Sequence, residues 1–554
     1  MLMRWTRINS GPAPAMAAIA LAALVAAAYG PCLSGPPLFD DAVLFAPPGP
    51  AAPLLEYLAG PMHSRPVVAL SVWLDGRLWG SWWPGWHATN LAIHAATCFL
   101  LYLSARDLLG RRGLGLQGAG WAAFAAAALW AVHPLASESV AYLVQRSESL
   151  AALFALASAL AFFRAAREGS GPARRWTLWL LAAIALVLGL QAKAVVAGLP
   201  LALLLLDRAL LAGSFRASLR ARWPAYALLA LALFAVPGEW PKVWAGGPAL
   251  PAAGQPFGAL AASGLPSRGD YLATQPEIVL HYVRLAAWPV GQCADYAWRP
   301  HVSRPAVLAI LAAAGAIGAG LWRNRPWAAA LAASGVLLAP TSSIIPMHDL
   351  AGERRAYLAL AIWIAIAVAF VGARVAPWAA RRPALARWAA LALGASLAAF
   401  WVVGARTRAG IYASGEAFWT EAARSRPGSW RARANLATEL AARGRLGEAR
   451  AEADRAIDLA PREPKPRHNR GLIRLLAGDA GGAMEDWRAA EALAPDWTDP
   501  VLMQGIGLLA AGRYEEGEAE FSRCLALHPS LEAARLGRDA ARTFRGLEPE
   551  RREP

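Results

Sequence analysis

Long apolar stretches recur along this chain of 554 residues, and they limit its possible folds more than any other feature. About eleven of them have roughly 17–22 residues, and a helix needs about 20 apolar residues to cross a bilayer. Hydrophobic residues make up 57% of the chain, too much for an ordinary soluble protein of this length. The sequence therefore predicts an all-α, polytopic membrane helix bundle with spans at roughly 13–33, 86–106, 118–136, 148–166, 176–191, 194–211, 223–238, 305–322, 327–345, 357–374 and 386–404.

Two segments decide how many spans are counted. Residues 276–292 could form a twelfth span, but Glu277, His281 and Arg284 recur at helical spacing and give this helix a polar stripe. We therefore expect an interfacial helix here and eleven spans, with the N-terminus inside and the C-terminus outside. Residues 14–30 resemble a signal peptide, and we expect a retained first span because many more spans follow. The arginine-rich loops then face the cytoplasm.

A strict 34-residue period begins after residue 410. It is carried by prolines, glycines, leucines and small residues, namely Pro427, Pro461, Pro495, Pro529, Gly444, Gly478, Gly512, Leu459, Leu493, Leu527, Ala449, Ala483, Ala456 and Ala490. Glycine at the turn between two helices and proline after the second helix are typical of tetratricopeptide repeats. The small residues let the stacked helices approach closely. An α-solenoid of such repeats is therefore predicted.

The two patterns divide the chain into domains. We expect a multi-span membrane domain at 1–409, a tetratricopeptide domain at 410–544 and a basic tail at 545–554. The repeats fall at about 428–461, 462–495 and 496–529, followed by a helical cap. The net charge of +16 comes mostly from arginines scattered between spans, so nucleic acid is not expected as a partner. The four cysteines show no CxxC spacing and indicate neither a zinc site nor a disulfide framework.

Polar residues collect on the outer face of the membrane in the eleven-span topology. They are Asp40, Asp41, Arg65, His87, Asn90, His94, His133, Glu138, Tyr142, Arg146, Glu148, Gln191, Lys193, His348, Asp349, Glu353, Arg354 and Arg355. Singly, such residues often cap helices, bind headgroups or bond at the interface. Together, arginine and lysine suit a phosphate, and carboxylates suit proton transfer or a divalent cation. The pattern favours a substrate with a phosphate and a reacting hydroxyl.

The adjacent carboxylates Asp40 and Asp41 are the sharpest part of this pattern. They follow the first apolar run, where the chain leaves the lipid. Charges near hydrocarbon are costly unless they bind or react with something. If any metal is bound, these two side chains are the expected ligands, and no other cofactor is expected.

Several stretches together resemble the transmembrane and tetratricopeptide repeat-containing proteins and their bacterial relatives. They are FDDAVLF, RPVVALSVWLDGRLWG, WHATNLAIHAATCFLLYL, ALWAVHPLASESVAYLVQRSESLAALFALAS, QAKAVVAGLPLALLLLD and PTSSIIPMHDLAGERRAYLAL. The resemblance implies a glycosyltransferase of the GT-C type, which uses a sugar linked to a lipid phosphate. Eukaryotic members of this family are protein O-mannosyltransferases. The loop at 239–275 carries no motif of the family, so it suggests no acceptor contacts.

The resemblance also implies roles for the residues. It implies that the pair Asp40 and Asp41 supplies the catalytic base and that Glu138, with His133, lines the same cavity as a further catalytic carboxylate. It further implies that four cations face the lipid phosphate, namely Arg146, Lys193, Arg354 and Arg355. The remaining expected cavity residues are Arg65, His87, His94 and Glu353.

The predicted reaction is a direct displacement at the anomeric carbon of a polyprenyl-phosphate sugar, with inversion. The acceptor is a hydroxyl of a protein or a glycan, and the repeats bind an acceptor or another protein partner. We expect a bacterial inner-membrane protein whose site and repeats face the periplasm. Three alternatives stay open: a polysaccharide ligase or polymerase, a transporter or flippase of lipid-linked sugars, and a non-catalytic scaffold. The transporter would be expected to show repeated halves and broken Gly/Pro spans, and the membrane part of the sequence shows no convincing internal repeat.

Overall fold

The computed structural model describes residues 11–38, 41, 53–59, 64–109, 119–166, 171–235, 266–343, 346–347 and 349–547. Within these ranges the chain forms helices and no strand, which confirms the all-α prediction. The described residues fall into two compact units. The membrane unit contains those among 1–246 together with Ser267–Gln292 and Arg299–Ser414. The repeat unit contains Pro266, Cys293–Trp298 and the described part of Gly415–Pro554.

The described membrane unit contains fifteen α-helices. They are α1 (Pro14–Tyr29), α2 (Leu54–Ala59), α3 (Pro66–Trp79), α4 (Trp83–Leu109), α5 (Ala119–Ala131), α6 (Ser137–Ala141), α7 (Arg146–Ala165), α8 (Pro172–Ala192), α9 (Leu199–Asp207), α10 (Phe215–Ala232), α11 (Arg268–Ala287), α12 (Arg304–Trp322), α13 (Pro326–Leu338), α14 (Tyr357–Arg381) and α15 (Pro383–Ile411). Proline stands at the first position of several of them, where its fixed φ angle and missing N–H suit a helix start.

Eight helical stretches of the described chain are long and apolar enough to cross a membrane. They are Pro14–Ser34, Trp83–Leu109, Leu143–Ala165, Pro172–Ala192, Ala194–Ala212, Arg304–Trp322, Glu353–Arg381 and Pro383–Ile411. A ninth is obtained if α5 and the helical stretch Pro134–Ala141, which meet at 56°, form one broken span. The chain is therefore an integral membrane protein.

The predicted count of eleven spans includes two segments that these criteria do not select. One corresponds to α10, which is kinked at Arg222 and contains Pro224, and the other to α13, with only 13 residues. Residues 276–292 overlap α11, which is not among the selected spans either. The eleven-span topology stays a prediction.

The centre of the membrane unit is a polar segment with broken helical structure. Between α5 and α7 the chain forms a 3-10 turn at Pro134–Ala136, the short helix α6 and a second 3-10 turn at Leu143–Gln145. Every residue from 130 to 152 is buried. Non-helical backbone is tolerated at membrane depth only where protein or a water-filled cavity surrounds it. These breaks direct Glu138, Arg146 and Glu148 into the interior.

The repeat unit is built of helices that recur with the predicted period. They are α16 (Gly415–Ser425), α17 (Trp430–Ala442), α18 (Leu446–Leu459), α19 (Pro464–Leu476), α20 (Ala480–Leu493), α21 (Thr498–Ala510), α22 (Tyr514–Leu527) and α23 (Glu532–Phe544). The helices α17, α19, α21 and α23 start 34 residues apart. Gly444, Gly478 and Gly512 have φ angles of 75°, 83° and 73°, the left-handed region that glycine adopts after a helix end. The name tetratricopeptide for these hairpins stays a prediction.

Candidate functional site

Glu138 and Arg354 form an ion pair between α6 and the turn before α14. The backbone N–H of Arg354 donates to Glu138 Oε2 at 2.8 Å, and its guanidinium Nη1 donates to Oε1. A second carboxylate, Asp349, lies 3.4 Å from Nη2 of the same guanidinium. The side chains of Arg354 and Glu138 keep 18% and 11% of their surface exposed. Two residues far apart in sequence, both predicted for the site, are thus brought into contact.

Lys193 lies in the one-residue break between the spans Pro172–Ala192 and Ala194–Ala212, where it pairs with Glu148. Its Nζ is 2.6 Å from Glu148 Oε1. Burial lowers the pKa of Lys193 to about 8; Glu148 opposes this shift, whereas the charges of Arg65 and Arg354 add to it. Arg354 in turn interacts electrostatically with Glu148. The two ion pairs and Arg65 are therefore close neighbours.

We call this group the cation–carboxylate cluster. Its members are Arg65, Lys193, Arg354, Glu138, Glu148 and Asp349. Three positive side chains face three carboxylates, so the cluster is close to neutral without a ligand. Charge-assisted bonds of arginine and lysine are the strong contacts that proteins use to hold phosphate. A cation of this cluster could therefore take a phosphate in exchange for its carboxylate.

Asp41, the described member of the aspartate pair, is buried and bound to backbone on both oxygens. The N–H of Val144 donates to Oδ1 at 2.7 Å, and the N–H of Leu38 donates to Oδ2 at 2.9 Å. Val144 belongs to the broken segment before α7, so Asp41 ties the first loop to the centre of the unit. It also interacts electrostatically with Arg146. Asp40 lies outside the described residues.

Arg146 is held by two other helices through its whole guanidinium. Its Nη1 lies 2.6 Å from Asp75 Oδ2, and its Nε donates to Asn90 Oδ1 at 2.7 Å. The carbonyl oxygens of Ser71 and Trp86 accept further bonds at 3.3 Å and 3.1 Å. The side chains of Arg146 and Asp75 expose only 1% and 2% of their surface. Through these contacts Arg146 links α7, on which it lies, with α3 and α4.

The two neighbours of Arg354 in the sequence make structural contacts. Arg355 donates from Nη1 to Leu350 O at 2.7 Å and to the Tyr271 hydroxyl at 3.0 Å, and from Nη2 to Asp349 O. Its guanidinium therefore fixes the loop before α14. Glu353 accepts a bond of 2.6 Å from Gln292 Nε2 and lies 3.4 Å from Arg408 of α15.

The three described histidines of the predicted site are buried, and two of them have both ring nitrogens bound. His94 contacts the Tyr357 hydroxyl at 2.6 Å and Ala131 O at 3.3 Å. His133 accepts a hydrogen bond of 3.1 Å from Leu135 N–H, and this bond caps the 3-10 turn that follows. Its other ring nitrogen lies 3.1 Å from Ala286 O. His87 contacts Gly35 O at 3.2 Å through Nε2, and its Nδ1 has no hydrogen-bond partner among the described residues.

Sequence reasoning gave no role to Asp75, although this side chain organises the interior. Besides Arg146, it accepts a bond of 2.8 Å from the Thr89 hydroxyl. A carboxylate inside an apolar helix is itself a sign of a functional or paired group, and that signal was present in α3. Among the described residues, no group of three or more His, Cys, Asp or Glu side chains is placed to hold a metal ion. His348, which was also predicted for the polar face, lies outside the described residues.

No protein-family model matches this chain. Parts of it are similar to proteins named as protein O-mannosyl-transferases. With TMTC4 from Homo sapiens it is 35% identical over 127 residues, which is 22% of this chain and 17% of that protein. With TMTC1 from Homo sapiens it is 32% identical over 180 residues, 29% of this chain and 20% of that protein.

A third relative has the same kind of name. Tmtc2 from Drosophila melanogaster is 34% identical over 114 residues, 20% of this chain and 11% of that protein. The matches thus span a fifth or less of the length of these relatives. Parts of this membrane protein are therefore similar to several proteins named as protein O-mannosyl-transferases, its distant homologues.

Proposed function

We propose that this chain is a membrane-embedded, GT-C-type glycosyltransferase of the transmembrane and tetratricopeptide repeat-containing family. It moves a sugar, with mannose as the first candidate, from a polyprenyl phosphate to a hydroxyl of a protein acceptor. The sugar and the acceptor are taken from the names of the similar proteins. The observation that carries the proposal is the cation–carboxylate cluster, because it offers charged groups of both signs beside a buried polar segment.

The cluster suits the change of charge during the reaction. A polyprenyl-phosphate sugar is a phosphodiester with one negative charge. When the bond between C1 of the sugar and the phosphate oxygen breaks, the leaving polyprenyl phosphate gains a second negative charge. Arg354 and Lys193 would stabilise that charge more strongly than the charge of the bound donor. Only such a difference between ground state and transition state accelerates a reaction.

Within the aspartate pair, we assign the base to Asp40. Both oxygens of Asp41 already accept backbone N–H groups, so Asp41 acts as a positioning residue for its neighbour. In the proposed step, the acceptor hydroxyl oxygen attacks C1 from the face opposite the phosphate. Its proton passes to the Asp40 carboxylate, the C1–O bond to phosphate breaks, and the configuration at C1 inverts.

The other predicted residues divide between binding and positioning. We propose that Arg354, Lys193 and Arg65 meet the phosphate and that Glu138 and Glu148 hold these cations until the donor arrives. Arg146, Arg355, Glu353, His94 and His133 make the internal contacts described above, and we propose them as positioning residues.

The assignment of the base is tested with purified protein in detergent. The probes are a short-chain polyprenyl phosphate mannose and a peptide with one threonine. We expect Asp40→Asn to lower kcat by about 10²- to 10⁴-fold, the usual contribution of a general base. Asp41→Asn should lower thermal stability instead, because an amide cannot accept both N–H groups. Normal kcat in Asp40→Asn would refute the base, and no transfer by the wild-type protein to any hydroxyl would refute the proposed function.

The acceptor and the orientation are tested in cells. Loss of protein-linked hexose in Asp40→Asn cells supports a protein acceptor. Unchanged protein glycans with altered surface polysaccharide would favour the ligase. A reporter fused after the repeat unit should be active only outside the cytoplasm, as the eleven-span topology requires. The repeats would then bind the acceptor polypeptide or another protein on the periplasmic side of a bacterial inner membrane.

A further inference from the structure

One face of α4 carries three buried polar side chains, and one polar atom among them is unused. His87, Asn90 and His94 follow one another at spacings of three and four residues, so they share a helix face. Asn90 donates to Val140 O and accepts from Arg146, and both nitrogens of His94 are bound. Of these three side chains, His87 alone has a buried polar atom, Nδ1, without a hydrogen-bond partner among the described atoms.

The contact with Gly35 fixes the tautomer of His87. A carbonyl oxygen only accepts hydrogen bonds, so the Nε2 atom that lies 3.2 Å from Gly35 O must carry the hydrogen. In the neutral ring, Nδ1 then has a free lone pair and can only accept. A residue that is 1% exposed thus presents a single unsatisfied acceptor. Buried polar groups of this kind are normally satisfied, and an exception calls for a ligand or a water.

The position of His87 in the fold associates this acceptor with Asp41. Gly35 starts the extended segment that ends at Leu38, whose N–H and C=O both bond to Asp41. A Cβ on Gly35 would lie 2.6 Å from Tyr412 O, so the backbone here is closely packed and its carbonyl is fixed. Both His87 and Asp41 interact electrostatically with Arg146. The free lone pair therefore belongs to the same buried region as Leu38 and Asp41.

We propose that His87 is a substrate-binding residue whose Nδ1 accepts a hydrogen bond from a hydroxyl of the sugar or of the acceptor. This inference rests on the proposed function and deepens it, because it assigns a group that selects hydroxylated ligands. The hydroxyl supplies the one thing that this nitrogen lacks, a donor. A site built around such a bond discriminates strongly against an analogue that lacks the hydroxyl.

The test compares two variants of His87 with the wild-type protein. His87→Gln keeps an amide N–H for Gly35 O, because the glutamine amide reaches about as far as Nε2, but it loses the acceptor at Nδ1. His87→Asn can keep an acceptor near Nδ1 and loses the bond to Gly35. The probes are a short-chain polyprenyl phosphate mannose, its four singly deoxygenated analogues and a threonine peptide. Donor binding is followed by thermal shift and transfer by kcat/KM.

We expect His87→Gln to lower kcat/KM for the full donor by about 10- to 100-fold, as loss of one buried bond does. If the hydroxyl belongs to the sugar, one deoxygenated analogue will react equally well with wild-type and His87→Gln protein. If it belongs to the acceptor, the KM of the peptide will rise and the variant will treat all analogues as the wild type does. His87→Asn should keep the hydroxyl preference of the wild type even where it is less stable.

His94→Gln is the matched control from the same helix face. Both of its nitrogens are bound within the protein, so it should lose stability without changing the order of preference among the analogues. An active wild-type protein with an unchanged His87→Gln variant would overturn this inference alone, since a buried water would then satisfy Nδ1. A wild-type protein that neither binds nor transfers the donor would overturn the proposed function as well.

Discussion

Two arginines of the membrane unit, Arg146 and Arg354, form ion pairs of very different character. Arg146 is enclosed by α3 and α4, and with Asp75 it exposes 1% and 2% of the side-chain surface. Arg354 is bound by Glu138 and Asp349, and its side chain keeps 18% of its surface exposed. Both residues were predicted to face the lipid phosphate. Only Arg354 has a position from which it can exchange a protein carboxylate for a ligand.

The difference follows from what burial does to an ion pair. Two charges taken out of water are stable only if each keeps its partner, and removal of one partner leaves an uncompensated charge. Arg146 therefore contributes to the structure through a fixed set of partners. In the Arg354 pair, Glu138 also accepts the backbone N–H of Arg354 and would keep that bond if the guanidinium turned to a phosphate. The two arginines thus differ in exposure and in how firmly they are held, and on this difference we base the proposal that Arg354 binds the phosphate and Arg146 does not.

The largest effect is expected when the buried ion pair of Arg146 and Asp75 is broken. Arg146→Met should lower the free energy of unfolding by about 3–5 kcal/mol, because it leaves Asp75 charged and unpaired in the interior. The measurement is thermal or chemical unfolding of the purified protein in detergent, together with its yield in the membrane.

The double variant Arg146→Met with Asp75→Leu is the control for this experiment. It removes both charges, and replacement of a buried pair by apolar residues is often neutral. Part of the lost stability should therefore return. If Arg146→Met alone unfolds like the wild-type protein, the pair of Arg146 with Asp75 does not stabilise the fold.

The second effect is expected in donor binding when Arg354, the partly exposed arginine, is replaced. Arg354→Gln should raise the KM for polyprenyl phosphate mannose by about 10- to 100-fold, because one charge-assisted bond to phosphate is lost. Stability should fall less than in Arg146→Met, since the backbone N–H of residue 354 still bonds Glu138.

The adjacent residue offers a matched control. Arg355→Gln removes the same charge one position away, where the guanidinium binds Leu350 O and the Tyr271 hydroxyl. It should destabilise the loop before α14 and change the KM for the donor little. The reverse outcome, a larger KM effect in Arg355→Gln, would exchange the two assignments.

Much of the fold was predictable because its signals are local. The apolar runs gave the membrane character and most span positions, and the period of 34 residues is the spacing of the helix starts in the repeat unit. The broken segment at 130–152 was harder. Its residues were predicted as the ends of two spans with polar residues of the outer membrane face between them, whereas the structure buries all of them. Burial of a polar stripe depends on neighbouring helices that the local pattern does not contain.

The residues of the candidate site were easier to find than their partners. The ion pair of Arg354 with Glu138 joins positions 216 residues apart, and Arg146 meets side chains 56 and 71 residues earlier in the chain. A pattern of charges at span ends indicates a polar face of the membrane. It does not indicate which cation will be enclosed and which will stay open, because that depends on how closely α3, α4 and α7 approach.

A smaller effect is expected from the pH dependence of Lys193. With its pKa at about 8, this ammonium is mostly charged at pH 7 and mostly neutral at pH 9. If it binds the phosphate, the KM for the donor should rise by up to about tenfold between these two values. Lys193→Arg keeps its charge throughout this range, so its KM should change little. Equal pH profiles of the KM in both proteins would show that Lys193 does not bind the phosphate.

The smallest effect is expected at the surface pairs of the repeat unit, which extend the comparison to charges that stay in water. Glu439 lies in the last turn of α17 and Arg443 directly follows that helix; their Oε2 and Nη1 atoms are 2.7 Å apart, and the side chains of Arg443 and Glu439 expose 37% and 30% of their surface. Exposed pairs contribute about 0–1 kcal/mol, because water screens the attraction and ordering the side chains opposes it. Glu439→Gln should therefore leave unfolding and transfer to a short peptide unchanged. If transfer to a short peptide did fall, a charged group of the repeat unit would have to act on the reaction itself, and openness to solvent would no longer separate binding from structural charges.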